Sequence, residues 1–188
     1  AALIHGTLVA ASTLGGDALG GAHFYMVHSR LAMALLFLLV HAIGLQRGAL
    51  EDRFGIGPAV TQPVLLGSLF VVGAGAAVGL PPLAGFVGKV LMLAATMQAP
   101  GAAWFWTALL GSGLLALVVL ARAGSLVFWN TQGPAAAASP LSWPSAAGIA
   151  ILVMASVAWM VLAVPATHYA MATARQLAEP RLYIDAAL

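Results

Sequence analysis

The residue of this sequence with the clearest capacity for chemistry is Lys89, the only lysine among 188 residues. It lies in a long apolar stretch, seven residues after the run Gly79-Leu80-Pro81-Pro82. Prolines lack an N–H group and their rings clash with preceding carbonyls, so this run predicts a helix break. In hydrocarbon, a break persists only where protein covers it or a wet cavity reaches it, and transporters use such breaks as ion sites.

A lysine near the middle of a helix in a bilayer carries a cost of at least about 2.5–3.5 kcal/mol on insertion scales. The apolar surroundings disfavour the charged ammonium, and the positive end of the half-helix acts in the same direction. Lys89 could therefore load and release a proton, which an arginine could not do because it stays protonated. The alternative is an amine that snorkels to the interface or forms a fixed ion pair.

Two further basic residues within the predicted spans, His28 and Arg122, are candidates for a role. His28 could relay a proton near neutral pH, or it could be held by hydrogen bonds between helices. Arg122 lies about two turns from the end of its span. There its guanidinium could anchor at the membrane interface, stack on Trp129 or pair with an acidic residue outside this sequence. A structural or electrostatic role is favoured for Arg122. The five acidic residues all fall in predicted loops or the tail, so a proton relay would need carboxylates from elsewhere.

The composition excludes several classes of function. Only 6% of the residues are charged and 62% are hydrophobic, with a mean hydropathy of +1.02, whereas a soluble domain carries about 25% charged residues. Seven scattered basic residues do not form a nucleic-acid surface. There is no cysteine, no phosphate-binding loop, no metal-ligand spacing and no nucleophile–base pair. The sequence therefore predicts no cofactor, no metal site and no enzyme.

The elements that must position these residues are apolar helices of about 20 residues each. The sequence predicts an all-α polytopic membrane protein with spans over 3–15 (partial), 22–45, 64–97 (broken at 79–82), 104–129 and 144–169, and a polar tail over 170–188. The span 3–15 is too short for a complete membrane helix and is typical of the end of a truncated one. We therefore expect that further residues precede it in a longer protein. Glycines at 15–16 and 20–21 predict a turn, and 46–62 a solvated loop.

Motifs in these spans resemble the antiporter-like membrane subunits. The run from Gly79 to Lys89 resembles their broken-helix motif, and residues 24–38 around His28 are similar to the preceding helix. This superfamily includes the A-type and D-type subunits of the Mrp, Pha and Mnh cation/proton antiporters and the large antiporter-like subunits of respiratory complex I. Residues 122–129 and 183–188 resemble the D-type subunits of the Pha antiporters in particular.

The resemblance implies a fourteen-helix fold of two inverted five-helix repeats, each with a broken helix. This sequence would be its C-terminal part, helices ten (partial) to fourteen. Lys89 would be the proton-transferring lysine of the second broken helix, and His28 a histidine of helix eleven. Many members carry a lysine five residues after that histidine, where this sequence has Met33. The relay around His28 therefore departs from the family pattern.

These observations predict a proton-translocating subunit of a monovalent cation (Na⁺ or K⁺)/H⁺ antiporter complex. Its partners would be the other subunits, the lipid bilayer, protons and the cation, in the inner or plasma membrane of a bacterium. Two alternatives stay open. One is an antiporter-like proton-pumping subunit of respiratory complex I, which would be a translocase. The other is a structural membrane scaffold with a dry, ion-paired Lys89.

Overall fold

The computed structural model describes residues 16–47, 56–133 and 140–178, and in these ranges the chain is helical apart from turns and short connections. Within these described ranges, three helices are long and apolar enough to cross a membrane, so the prediction of an all-α membrane protein is confirmed. The predicted span 3–15 and the segment 179–188 lie outside the described residues.

The described helices are α1 (Gly16–Gln46), α2 (Pro63–Val78), α3 (Ala84–Ala95), α4 (Ala102–Gly124), a π-helical turn (Ser125–Trp129), α5 (Trp143–Val161) and α6 (Ala163–Ala178).

Helix α1 begins at Gly16 and runs through Gly20 and Gly21, where the sequence predicts a turn. That prediction is wrong because other helices pack directly on these two glycines. A Cβ atom added to Gly21 would lie 3.1 Å from Cβ of Leu91, and one added to Gly20 would meet Met171. The glycines thus allow the close approach of helix backbones that small residues permit in membranes.

The described chain divides into two compact units, each with its own core. Among the described residues, the first comprises 16–30, Gly79–Gly113 and 157–178, and the second comprises 31–47, 56–78, 114–133 and 140–156. Helices α1, α4 and α5 contribute residues to both units. Helix α2 belongs to the second unit and α3 to the first, so the break between them coincides with a boundary between units.

The core of the second unit is apolar. Its fully buried members include Leu35, Leu39 and Leu66, and Phe70 packs with them. The ring centroid of Phe70 lies 5.7 Å from that of Phe128. Aromatic pairs at this separation add to the stabilisation from burial alone.

One end of the second unit buries polar side chains. Gln46 and Arg47 are 1% and 2% exposed, so the prediction of a solvated loop from residue 46 is wrong for them. The side-chain oxygen of Gln62 accepts hydrogen bonds from Nε2 of Gln46 at 3.1 Å and from the backbone N–H of Leu141 at 2.9 Å. The backbone N–H of Gln62 donates to Oε1 of Gln46 at 3.2 Å. Burial is tolerated because these amide groups satisfy one another.

The first unit has two smaller apolar clusters. Phe24 lies at the centre of one and stacks on Trp159 with centroids 5.4 Å apart. The other is built around Met92. Beside it, the buried hydroxyl of Thr96 accepts a hydrogen bond from Nε1 of Trp106 at 2.9 Å, which ties the end of α3 to the start of α4.

Helix α6 follows α5 after a single residue and continues to Ala178. The backbone N–H of Ala166 donates to the carbonyl of Leu162 at 2.9 Å, so the helical course resumes at once. Residues 170–178, the described part of the predicted polar tail, are helical. They are rich in alanine and other good helix formers. The predicted bounds of the spans rest on hydropathy, which detects apolar segments and does not detect a polar helix.

Candidate functional site

The break between α2 and α3 is set by local backbone chemistry. Helix α2 ends at Val78, and Gly79 follows with φ of +76°, a left-handed conformation that glycine adopts at little cost and that commonly ends helices. Pro81 and Pro82 come next, joined by a cis peptide bond. Neither proline has an N–H group with which to continue a helix, and α3 begins only at Ala84.

Lys89 lies in the middle of the short helix α3 and is 9% exposed. Its side chain reaches back toward the break, as helical side chains point toward the N-terminus. A Cβ atom added to Gly79 would lie 3.2 Å from Cε of Lys89 and 3.2 Å from the backbone carbonyl of Gly85. The aliphatic stem of Lys89 therefore packs on Gly79, the residue that follows the end of α2.

His28 lies in α1 and is 2% exposed. Its imidazole rests against the backbone of Gly85: a Cβ atom added there would lie 2.6 Å from Nε2 of His28. The same hypothetical atom would lie 3.0 Å from Cα of Gly79. Gly79 and Gly85 thus form one small notch, which the His28 ring contacts from α1 and the Lys89 stem from α3.

The crossing of α1 and α3 extends one turn beyond this notch. A Cβ atom added to Gly88 would lie 2.9 Å from Cβ of Tyr25, and the Tyr25 ring centroid is 6.5 Å from that of His28. Ser29, on the same helix, donates its hydroxyl to the carbonyl of Tyr25 at 2.8 Å. Glycines on α3 let α1 approach until its backbone touches α3, and this contact fixes where the His28 ring lies.

The chemistry available at this notch is that of two bases. A buried amine and a buried imidazole can each take up and release a proton. Within the described ranges the only acidic residue is Asp17, which is exposed in the first turn of α1. Those ranges also contain no group of three side chains that could hold a metal ion. The described residues thus include two buried basic groups of a kind that can take up a proton, and no buried carboxylate.

Other residues singled out from the sequence belong to the second unit. Arg122 is exposed in the last turn of α4, before the π-helical turn in which the N–H of Asn130 donates to the carbonyl of Ser125 at 2.8 Å. Met33, which occupies the position where the resemblance implies a lysine, is 38% exposed. The structural or electrostatic role of Arg122 stays a prediction.

Comparison with known sequences identifies the family. Residues 5–118, more than half of the chain, match the family model described as NADH:quinone oxidoreductase/Mrp antiporter, transmembrane. The chain belongs to this family. The matched region contains His28, the break at Gly79 and Lys89, whereas Arg122 lies just beyond it.

A curated relative carries a more specific name. The chain is 29% identical over 213 aligned residues to a probable K⁺/H⁺ antiporter subunit of type D from Rhizobium meliloti (strain 1021). The alignment covers 97% of this chain but only 39% of that protein. The chain therefore spans well under half the length of this relative, and it is similar to a subunit of a multi-subunit membrane transporter.

The structure adds one contact at the candidate site that the sequence does not reveal. The sequence shows Gly85 and Gly88 as small residues on one helix, a pattern common in membrane proteins. It does not show that the His28 ring lies on Gly85. The available signal was the spacing of Gly85 four residues before Lys89, which puts both on the same face of α3.

Proposed function

We propose that this chain is part of the proton-translocating subunit of a monovalent cation/proton antiporter complex, with Na⁺ or K⁺ as the exchanged cation. Lys89 carries the proton, and His28 is a second station beside it. The complex is a secondary transporter in a bacterial plasma membrane, and the cation moves against the flow of protons. The remaining stations of the relay, including its carboxylates, come from residues outside the described ranges or from partner subunits.

The observation that supports this proposal most strongly is the position of Lys89. Its ammonium group is on a mostly buried side chain, in a short helix that begins at a break, and its stem packs on Gly79. A lysine so placed in a membrane helix carries an insertion cost of about 2.5–3.5 kcal/mol. Such intramembrane lysines are rare and mark proton or ion pathways. The name of the relative from Rhizobium meliloti supports the antiporter assignment and potassium as the cation.

Exchange measurements on the full-length complex test the proposal. Inverted membrane vesicles are energised with a proton gradient, and dissipation of that gradient on adding K⁺ or Na⁺ is followed for the Lys89→Ala variant. We expect the exchange rate to fall by at least about 100-fold, the lower end of the range for removal of an acid–base group. The matched control is Arg175→Ala, which removes an exposed positive charge from α6 and should leave exchange unchanged. Normal exchange by Lys89→Ala would contradict the proposal.

A second candidate function rests on the description of the family, which includes NADH:quinone oxidoreductase. In that case the same proton path would belong to a redox-driven pump, and the complex would be an enzyme. Purification of the intact complex separates the two. Copurifying iron–sulfur and quinone-reactive subunits would favour the pump, whereas a complex of membrane subunits alone would favour the antiporter. A scaffold without a conducting role predicts that Lys89→Ala exchanges normally.

A further inference from the structure

The notch between Gly79 and Gly85 has almost no spare volume. A Cβ atom at Gly85 would come within 2.6 Å of Nε2 and 2.8 Å of Cδ2 of the His28 ring. Unbonded heavy atoms in contact lie about 3.5–4.0 Å apart. A single methyl group at Gly85 would therefore have to displace the imidazole of His28, the backbone at Gly79, or both.

We propose that Gly85 is a positioning residue whose lack of a side chain holds the His28 imidazole against the break, in register with Lys89. This inference rests on the proposed proton relay and adds to it a residue that carries no proton. Its effect arises because proton transfer depends steeply on distance, so that a shift of about 1 Å can reduce a rate by on the order of 100-fold. Gly85 thus limits how far His28 lies from the groups with which it exchanges protons.

The contacts of Gly85 differ from those of two other helical glycines, Gly88 and Gly111. A Cβ atom at Gly88 would press on Cβ, Cα and the ring carbon Cδ2 of Tyr25, none of which is the oxygen that carries the proton of that side chain. A Cβ atom at Gly111, in α4, would have no heavy atom within 4 Å. Gly88 therefore packs on Tyr25, Gly111 is sterically unconstrained, and of these three glycines only Gly85 would bring a methyl group against the titrating nitrogen of a side chain.

The first test is the pH profile of exchange in the full-length complex carrying Gly85→Ala. We expect a 10-fold to 100-fold lower maximal rate, about the range for a group moved out of place, and a shift in the pH at half-maximal exchange. Gly111→Ala is the matched control, because it makes the same substitution in a membrane helix without a steric clash, and its profile should equal that of the wild type. A wild-type profile for Gly85→Ala would overturn the inference.

The second test asks whether Gly85 acts through His28. Contacting residues that act together show non-additive effects. We expect that Gly85→Ala lowers exchange less than about 2-fold further when His28→Ala is already present. Full additivity would mean that the methyl group acts on helix packing alone and would overturn the inference. If the Gly85→Ala complex fails to accumulate, His28→Ala should restore its amount in the membrane by removing the two shortest contacts, and failure to restore it counts against the inference.

Failure of this inference is distinguishable from failure of the proposed function. If Lys89→Ala abolishes exchange while Gly85→Ala or His28→Ala behaves as the wild type, the proton path stands and the positioning role falls. If Lys89→Ala itself exchanges normally, the proposed function falls, and the positioning role falls with it.

Discussion

The two units of this molecule use helix α1 in opposite ways. In the second unit, α1 contributes Leu35 and Leu39 to an apolar core, and the polar groups at its end satisfy one another. In the first unit, the same helix contributes His28 to a contact with glycine backbone, next to the stem of a buried lysine. The apolar side chains of the second unit interdigitate in a close-packed core. The glycines of the first unit, by contrast, let titratable side chains lie close to a broken backbone.

This comparison predicts that the two units respond differently to substitution. Changes in the second unit should alter the free energy of unfolding without altering the pH dependence of exchange. Changes at the notch of the first unit should alter exchange more than stability. Three substitutions test the division, in order of decreasing expected effect on stability.

The largest expected effect on stability is that of Phe70→Ala in the second unit. Phe70 is 6% exposed and packs against Phe128, so its truncation leaves a cavity. We expect a loss of about 3–5 kcal/mol in the free energy of unfolding, measured by denaturant titration of the solubilised complex. The exchange of molecules that remain folded should keep the wild-type pH profile. A shifted pH profile of exchange would contradict the proposed difference between the two units. The neighbouring Val71→Ala, 58% exposed, is the control and should lose much less.

A smaller effect is expected for Gln62→Leu. This change removes the acceptor of two hydrogen bonds and leaves Nε2 of Gln46 and the N–H of Leu141 to find new partners. Leaving such groups unsatisfied costs about 1–3 kcal/mol. The thermal denaturation midpoint of the complex measures the loss. Gln176→Leu, at an exposed position of α6, is the matched control. Equal midpoints for the two variants would show that the amide cluster contributes nothing to stability.

The smallest effect is expected for Thr96→Val in the first unit. The substitution keeps the shape of the side chain but removes the acceptor of the Trp106 indole N–H, at a cost of about 1 kcal/mol. Thr107→Val is the control, since its exposed hydroxyl donates to the carbonyl of Ala103 within its own helix. Because Thr96 lies two turns beyond Lys89, the pH profile should stay that of the wild type. A changed profile would extend the functional region to the end of α3.

The parts of this structure that the sequence predicts are those decided locally. Long apolar runs predict the all-α membrane class, and residues 79–82 separate α2 from α3 because glycine and proline act on their own backbone. The continuation of α1 through Gly20 and Gly21 could not be predicted, since it depends on packing partners far along the chain. The same holds for the contact of His28 with Gly85. From the sequence, Gly20 and Gly21 are predicted to form a turn and Gly85 to serve general helix packing. Tertiary contacts instead place Gly20 and Gly21 within a helix and Gly85 against the His28 ring.

The burial of Gln46 is a second case in which distant residues decide. A polar run after an apolar span is typical of a solvated loop. The sequence contains no sign that Gln62 pairs with Gln46, or that the N–H of Leu141 donates to Gln62. Amide side chains can be buried wherever complementary donors and acceptors converge. Only the three-dimensional arrangement shows that convergence.

The most direct test of the central claim is exchange by Lys89→Arg in the full-length complex. Arginine keeps the positive charge and a long apolar stem, but it cannot release its proton in a protein. If Lys89 works by loading and releasing a proton, the arginine variant should assemble in normal amounts and yet exchange at least about 10-fold more slowly than the wild type. If Lys89→Arg exchanges protons for K⁺ or Na⁺ at the wild-type rate, a fixed positive charge is sufficient there, and Lys89 is not the proton carrier.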